Sequence, residues 1–534
     1  RLMMQLWDMP EARLALGAVA IAAWGWLAIA LLATHRQAAS VGLALGLALD
    51  LAIRIAARTV DLPWMPGLAA HATTLALLGL AVAAALTAVE GPTLDAPSGS
   101  ALPLLAVGPG LALAFMMTGN LGLAQARLDH DFAPAALLLA LGVALGLAVT
   151  LRLRLDGRAA GLALPAAVVV AGNGGAWFFW QASTGSGVGL VLAVAGSVVM
   201  TAGATAGRDD RTTSLLAITA ALTGGMLLQV VLLFLFYAGT GAPLFIAVAW
   251  GVLALGYLAA RAGLPVRDAA PAIAPVGLAV VTLLALVAGW QWIDRAEPAA
   301  GAPIPAEPTV MTYNIQNGFS ADNHFDLEAQ ARTIESVHPD VLVLQEIGRG
   351  WLVSGGVDEV LWFSQRLGLP YVFASGAGDG LWGNAILSRA PMSNVERHRF
   401  SSVANLKRAV AVVQLETEAG PLWVFGTHFD NIKREDAVRY EQVRQLIEVW
   451  AGRTPAVLAG DFNTDPGSDV MRELTSNGWR DSGEGLGPGA TTTQDERRID
   501  YVMVTSGVQV VQPSIIQRWT SDHLPYVVHL RLAP

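Results

Sequence analysis

The residues best suited to chemistry lie in the last third of the chain. Gly460-Asp461-Phe462-Asn463 follows a short apolar run, Ala456 to Ala459. A buried strand ending this way presents a carboxylate and a carboxamide, two positions apart, on one face of its end. Such a pair suits metal-assisted attack of water on phosphorus. One group orients or deprotonates the water, while the other holds the first and a phosphoryl oxygen. The same four residues also suit a strand followed by an Asx turn, so the choice depends on what the other strand ends carry.

Polar residues recur at the ends of apolar runs throughout 309–534. Val310 to Ile315 ends around Asn314, and Asp340 to Leu344 runs into Gln345-Glu346. Tyr371 to Phe373 and Asn384 to Leu387 have strand character. Ala409 to Leu415 and Leu422 to Thr427 form a hairpin around Glu418 to Pro421, with His428 just past it. Ile499 to Val504 carries Asp500, and Ser521-Asp522-His523 precedes the last strand, Tyr526 to Leu530. Helical spacing appears over 325–337, 357–367 and 435–450. Strands mixed with a few helices predict a layered α/β domain whose strand-end residues converge on one rim. His324, His338, His398 and His529 fall outside these patterns and read as surface or core residues.

The rest of the chain is of another kind. Of 534 residues, 54% are hydrophobic and only 14% charged, which is low for a soluble protein of this length. The apolar excess lies before residue 293, in about ten runs near 13–34, 38–57, 66–88, 101–124, 132–151, 160–181, 187–206, 213–238, 243–260 and 272–292, each long enough to span a bilayer. This predicts an all-α polytopic bundle over 1–293, a Pro/Ala/Gly-rich spacer over 294–308 and a catalytic domain over 309–534. Asp50 and Arg54, four apart within the second run, read as an ion pair facing the bundle. The stretch Asn173 to Gln181 reads as an aromatic interfacial belt or as part of a lipid-facing site. His71, Asn120 and Gln229 read as inter-helix hydrogen-bonding groups.

Arg152, Arg154, Arg158, Arg208, Arg211, Arg261 and Arg267 occupy alternate connections in the second half of the bundle. This marks those loops as cytoplasmic and predicts the C-terminal domain on the other side. Arg36, Arg58 and Arg127 do not orient the first half. Charge is also divided: 14 Arg against 14 Asp and Glu up to Glu297, then 19 Lys and Arg against 28 Asp and Glu, for a net −9. No cysteine is present, which excludes disulfides, thiolate metal sites and a cysteine nucleophile.

Seven motifs occur in order: Tyr313-Asn314-Ile315, Gln345-Glu346, Gly383 to Arg389, Thr427-His428-Phe429, Gly460 to Asn463, Ile499-Asp500-Tyr501 and Ser521-Asp522-His523. Together they resemble the endonuclease/exonuclease/phosphatase superfamily over about 308–534, which implies a two-sheet sandwich flanked by helices. A multi-spanning region ahead of such a domain further resembles the eukaryotic membrane proteins that remodel the lipid of glycosylphosphatidylinositol anchors. The stretch Ser354 to Arg389 shares in that likeness.

The resemblance implies roles for the motif residues. Glu346 would hold a magnesium ion (manganese being the alternative), with Asn314 beside it and Asp522 reaching it directly or through water. Asp461 would position or deprotonate the attacking water, and Asn463 would orient the water and the phosphate. Asp500 would fix the tautomer of His523, which would bind or protonate the phosphoryl group or act as base. His428 would bind a non-bridging oxygen or assist the leaving group. Arg408 is a candidate phosphate clamp and Asn384 a candidate phosphate ligand, each with an equally good structural reading.

Three functions follow as expectations. The first is a membrane-anchored phosphodiesterase that hydrolyses or remodels the head group of an inositol phospholipid or related lipid. The second is a tethered exported nuclease, for which the acidic domain offers only Lys407-Arg408 and Lys433-Arg434 as basic pairs near motifs. The third is a transport or lipid-binding protein with a regulatory soluble domain. The lipid and the bilayer are the expected partners.

Overall fold

The computed structural model divides into two compact units, Arg1–Arg295 and Ala296–Pro534. The residues described are 10–34, 36–59, 68–88, 100–128, 132–152, 158–181, 185–205, 213–236, 241–260, 270–293 and 301–533, apart from 352–353, 355, 377–378, 402–405, 433–435 and 488. Arg154, Arg208, Arg211, Arg261, Arg267, Lys433, Arg434 and the first half of the spacer lie outside them, as do the side chains of Arg152, Arg158 and His71.

A helix lies at each of the ten predicted spans. Among the described residues, five helices are long and apolar enough to cross a membrane, and a sixth span results if one bent pair counts as one. That bent pair corrects the fourth expected span. Instead of one helix over 101–124, Leu102–Thr118 and Leu121–Leu128 meet at 56°. Asp50 and Arg54 form an ion pair, Nε to Oδ2 at 2.8 Å, but the Asp50 side chain is 52% exposed and not enclosed in the bundle as expected.

The second unit is two six-stranded sheets face to face. One has the order β11-β12-β1-β2-β4-β3 and the other β5-β6-β7-β8-β10-β9. The strands are β1 (Thr309–Asn314), β2 (Val341–Gly348), β3 (Tyr371–Ser375), β4 (Trp382–Ser388), β5 (Met392–Arg399), β6 (Ala409–Thr417), β7 (Gly420–His428), β8 (Ala456–Asp461), β9 (Arg480–Asp481), β10 (Asp500–Val504), β11 (Val508–Ile515) and β12 (Tyr526–Leu532).

Each central strand buries both faces, so its sequence is a continuous apolar run rather than an alternation. Val343, Ile386, Val424, Val457 and Val502 fill the space between the sheets. The outer face of the first sheet is covered by helices Leu327–Val337 and Glu359–Leu367. Asp436–Trp450 and Asp469–Ser476 cover that of the second. Asp326 and Asp358 cap the first two helices through their carboxylates.

The second half of the spacer belongs to this unit. Gly301 N donates to the Arg389 carbonyl, Ile304 N to Glu416, and Leu530 N to Pro308. Ile304 is buried in the inter-sheet core. From Gly301 onward the segment is therefore an edge of the domain and not a free spacer.

Candidate active site

The register of three neighbouring strands builds the centre. His428 pairs with Asp461 across parallel β7 and β8, and Asp461 pairs with Asp500 across antiparallel β8 and β10. Adjacent strands lie about 4.8 Å apart, so three strand ends set three functional side chains in one row. The close fit depends on Gly460, where a Cβ would stand 1.9 Å from the Thr427 carbonyl oxygen. From the other sheet, Asn314 at the end of β1 reaches across, and its Nδ2 donates to Asp461 Oδ2 at 3.0 Å.

Asp461 is the hub. It is buried, and its Oδ1 accepts from Asn463 N at 2.9 Å. Its Oδ2 lies 3.2 Å from His428 Nε2 and 3.8 Å from His523 Nε2. Burial alone would raise its pKa, but the two imidazoles and the Asn463 amide outweigh burial and hold it below the usual carboxylate range. Asn463 sits at φ 51°, in the left-handed region that asparagine tolerates. There its Nδ2 donates to the Phe429 carbonyl at 3.1 Å and lies 3.0 Å from His428 Nε2.

His523 Nδ1 lies 2.8 Å from Asp500 Oδ2. Burial works against its charged form, but Asp500, Asp461 and Asp522 together push its pKa well above the ordinary histidine value. Arg408 is buried, stacks on the Trp382 ring 5.0 Å away and places Nη1 2.9 Å from His428 Nδ1. The same Nη1 also lies 3.2 Å from His428 Nε2, so the guanidinium pins the ring with Nε2 towards Asp461. Arg408, expected to clamp phosphate, thus orients His428. Asn384, expected to bind phosphate, is buried and donates Nδ2 to the Ala409 carbonyl at 2.8 Å.

Glu346 is not at a strand end, as the apolar run suggested. β2 continues to Gly348, and its register with β4 shifts between Leu344 and Ile347, with Glu346 at φ 51°. This bulge turns the carboxylate out of the ladder, as bulges beside active sites commonly do. Asn317 Nδ2 approaches Glu346 Oε2 at 3.4 Å. The Asp522 carboxyl is raised by burial first and then by Glu346 and Asp461, against the opposing effect of His523. The Glu346 carboxylate and the Asp522 carboxyl that its charge raises form a hard-oxygen donor set that fits a magnesium-type cation.

The ligand atoms of Asp461, Asp500 and His523 also lie within 4.8 Å of one another. There, however, Asp500 Oδ2 is already engaged by the imidazole and Asp461 Oδ2 by Asn314. The trio is thus already engaged as a hydrogen-bonded relay, and Glu346 with Asp522 is a second set that could hold a cation. Both polar atoms of Asn314, predicted to be a metal ligand, have protein partners, Asp461 and the Gln316 amide.

A cleft of about 720 Å³ opens from this centre, lined by Asn463, Asp522 and His523 and then by Asp436, Arg439, Asp465, Thr493, Asp495 and Arg497 among others. The supporting residues were not legible in the sequence. Arg439 and Gln442, on the buried face of a helix otherwise read as apolar, brace the loop after His428 through the Asp430 carbonyl and amide. Trp382 Nε1 donates to Asn317 Oδ1 at 2.7 Å. Only the spacing of Arg439 and Gln442 with Val443 and Leu446 could have marked those two.

Residues 311–523 match the family described as Endonuclease/Exonuclease/phosphatase. The C-terminal unit carries an endonuclease/exonuclease/phosphatase domain. Solved structures similar to it include an endonuclease/exonuclease/phosphatase from Beutenbergia cavernae, 25% identical over 42% of this chain and 72% of that one, TM-score 0.37. Another is a family protein from Bacteroides thetaiotaomicron, 21% identical over 43% and 99%, TM-score 0.37. The human Nocturnin catalytic domain with a bound sulfate is 20% identical over 42% and 94%, TM-score 0.36. No curated protein matches the chain. Members of the endonuclease/exonuclease/phosphatase superfamily are hydrolases acting on phosphodiesters and are generally dependent on divalent metal ions.

Proposed function

We propose that the chain is a membrane-anchored phosphodiesterase, magnesium-dependent, that hydrolyses the head-group phosphodiester of a membrane lipid, with an inositol phospholipid or glycosylphosphatidylinositol-like lipid as first choice. The observation that carries the reaction is the convergence of Asn314, His428 and His523 on Asp461. Held as a carboxylate, Asp461 accepts a proton from a water that the Asn463 side chain helps to place. His523, charged and backed by Asp500, donates to a phosphoryl oxygen as charge develops there. His428, fixed by Arg408, faces the same space from the other side. A divalent cation bound at Glu346 and Asp522 would supply charge neutralisation at the phosphoryl oxygens.

The substrate class rests on three further features. The chain has at least five helices apolar enough to span a bilayer. The cleft beyond the centre carries three carboxylates, Asp436, Asp465 and Asp495, against two arginines, a poor match for the phosphates of a nucleic acid. The alternating arginine-bearing connections favour a catalytic domain on the non-cytoplasmic face.

The test is a panel of phosphatidylinositol, phosphatidylcholine, sphingomyelin and DNA with magnesium, for the full chain and for His523→Ala. The expected result is release of a head group from the inositol lipid, strongly reduced in the variant. Cleavage of DNA alone would replace this reading with that of a tethered nuclease.

A further inference from the structure

The first unit holds a second cavity, apolar over most of its wall but with four polar residues on it, at the break in its fourth span. The turn before the break, Ala114–Thr118, is π-helical, and Gly119 N donates to Ala114 O, five residues back, at 2.8 Å. Single π turns inside helices are frequent at functional sites. The second half-helix begins at the break, where Asn120 Oδ1 accepts from Leu123 N at 2.9 Å. Beside the break lies a cavity of about 220 Å³, lined by Asp50, Arg54, Thr118 and Gln229 with Leu47 and Phe115 as apolar walls.

Two observations point to a polar occupant. Thr118 is 2% exposed, and its hydroxyl has no hydrogen-bond partner among the described residues. Helical threonines in apolar surroundings ordinarily close on the carbonyl one turn back. Thr150 does so on Gly146 and Thr219 on Leu215, each at 2.8 Å. Thr118 leaves its hydroxyl for whatever enters.

The second observation is the ion pair. Asp50 and Arg54 lie in the last two turns of helix Arg36–Ala56, near one end of the bundle. Arg54 lies beside the break, its Nε 3.4 Å from where a Cβ on Gly119 would stand. Irregular backbone at membrane depth is tolerated where it is buried in protein or lines a polar cavity, and ionisable groups there generally mark a ligand or ion path.

We propose that this cavity binds the head group of a bilayer phospholipid, the phosphate against Arg54 and Thr118 and an ammonium or hydroxyl against Asp50. Paired opposite charges match a zwitterionic or hydroxylated head group, whereas a bare anion would have to lie against the Asp50 carboxylate. The volume is below the roughly 300–1,000 Å³ of pockets that enclose drug-sized ligands. It therefore takes a head group and leaves the acyl chains in the bilayer.

The full chain in detergent is titrated with phosphatidylethanolamine and, separately, with water-soluble glycerophosphoethanolamine. Native mass spectrometry counts the adducts on wild type, Arg54→Gln and Thr118→Val. The expected result is one saturable lipid adduct on wild type, weakened about tenfold or more by Arg54→Gln. Thr118→Val, close to isosteric, weakens it less at unchanged thermal stability and keeps the test sound should Arg54→Gln fold poorly. Equal adducts on wild type and on a folded variant overturn the proposal. Binding of the soluble compound as tightly as the lipid overturns it too, in favour of a site for free phosphate esters. The readout needs no hydrolysis, so the proposal stands or falls apart from the phosphodiesterase reading.

Discussion

The two sides of the catalytic centre are organised differently. On the β7-β8-β10 side, Asp461 collects Asn314 Nδ2, the Asn463 amide and two imidazoles, and each imidazole has its own partner in Arg408 or Asp500. On the β2 side, Glu346 has one long contact from Asn317, while Asp522 has the Ser521 hydroxyl at 3.1 Å and the adverse charge of Glu346. The first side is preorganised by the protein itself, as hydrogen bonds to charged groups worth about 1.5–3 kcal/mol each would make it. On the proposed function, the second side is where a cation would bind. Water handling and charge neutralisation would then fall on separate strands, and variants on the two sides have distinguishable consequences.

The largest effect is expected on the preorganised side. Asp461→Asn removes the proton acceptor and lowers kcat on a soluble phosphodiester by roughly 10²–10⁴-fold, the range of general base catalysis, while cation binding measured by calorimetry persists. Glu346→Gln gives the reverse signature. Cation affinity falls by more than the about 10–100-fold that loss of an outer-shell partner costs, and added cation partly restores activity.

A smaller effect, of about 10–100-fold in kcat, is expected for Asp500→Asn, which acts through His523. The wild-type imidazolium is stabilised by Asp500, so its loss lowers the His523 pKa. The alkaline limb of the pH–rate profile then moves to lower pH.

The smallest effect concerns the floor beneath the bulge. Glu359 is fully buried, accepts from Gly348 N at 2.7 Å and has its pKa pushed up, chiefly by burial, to about 8. An acid raised from 4.5 to about 8 binds its proton more tightly in the folded state. Its contribution to stability is therefore full below the unfolded value, falls as pH rises between the two and is gone above the folded one. Glu359→Gln should flatten that part of the stability curve, read as the urea midpoint of the full chain between pH 5 and 9.

Much of this centre was legible in the sequence because its residues sit at strand ends, where an apolar run stops and a polar residue must follow. Asn314, His428, Asp461, Asn463, Asp500 and His523 all come together. The supports were less visible. Arg408 and Asn384 are polar residues beside motifs, but the structure uses them to hold His428 and β6. The bulge at Glu346 depends on pairing with β4, which local sequence does not encode.

Some elements were not legible either. β5 (MSNVERHR) is a largely solvent-facing edge strand whose charged residues hide its period, β11 contains Pro513, and helix Asp469–Ser476 is only eight residues long, begun by the Ser468 cap. In the bundle, the break at Gly119-Asn120 lies inside an apolar run that meets every composition rule for one span. Nothing in hydropathy marks the π turn that precedes it.

The most direct test is hydrolysis of a phosphodiester by the full chain, with and without divalent cation, wild type beside Asp461→Asn. Cation-dependent release of product by wild type, lost in the variant while the cation still binds, is the predicted result. Equal rates in the two proteins, or no hydrolysis by a wild type that binds the cation, would contradict the assignment of Asp461 as the water-handling group of a phosphodiesterase.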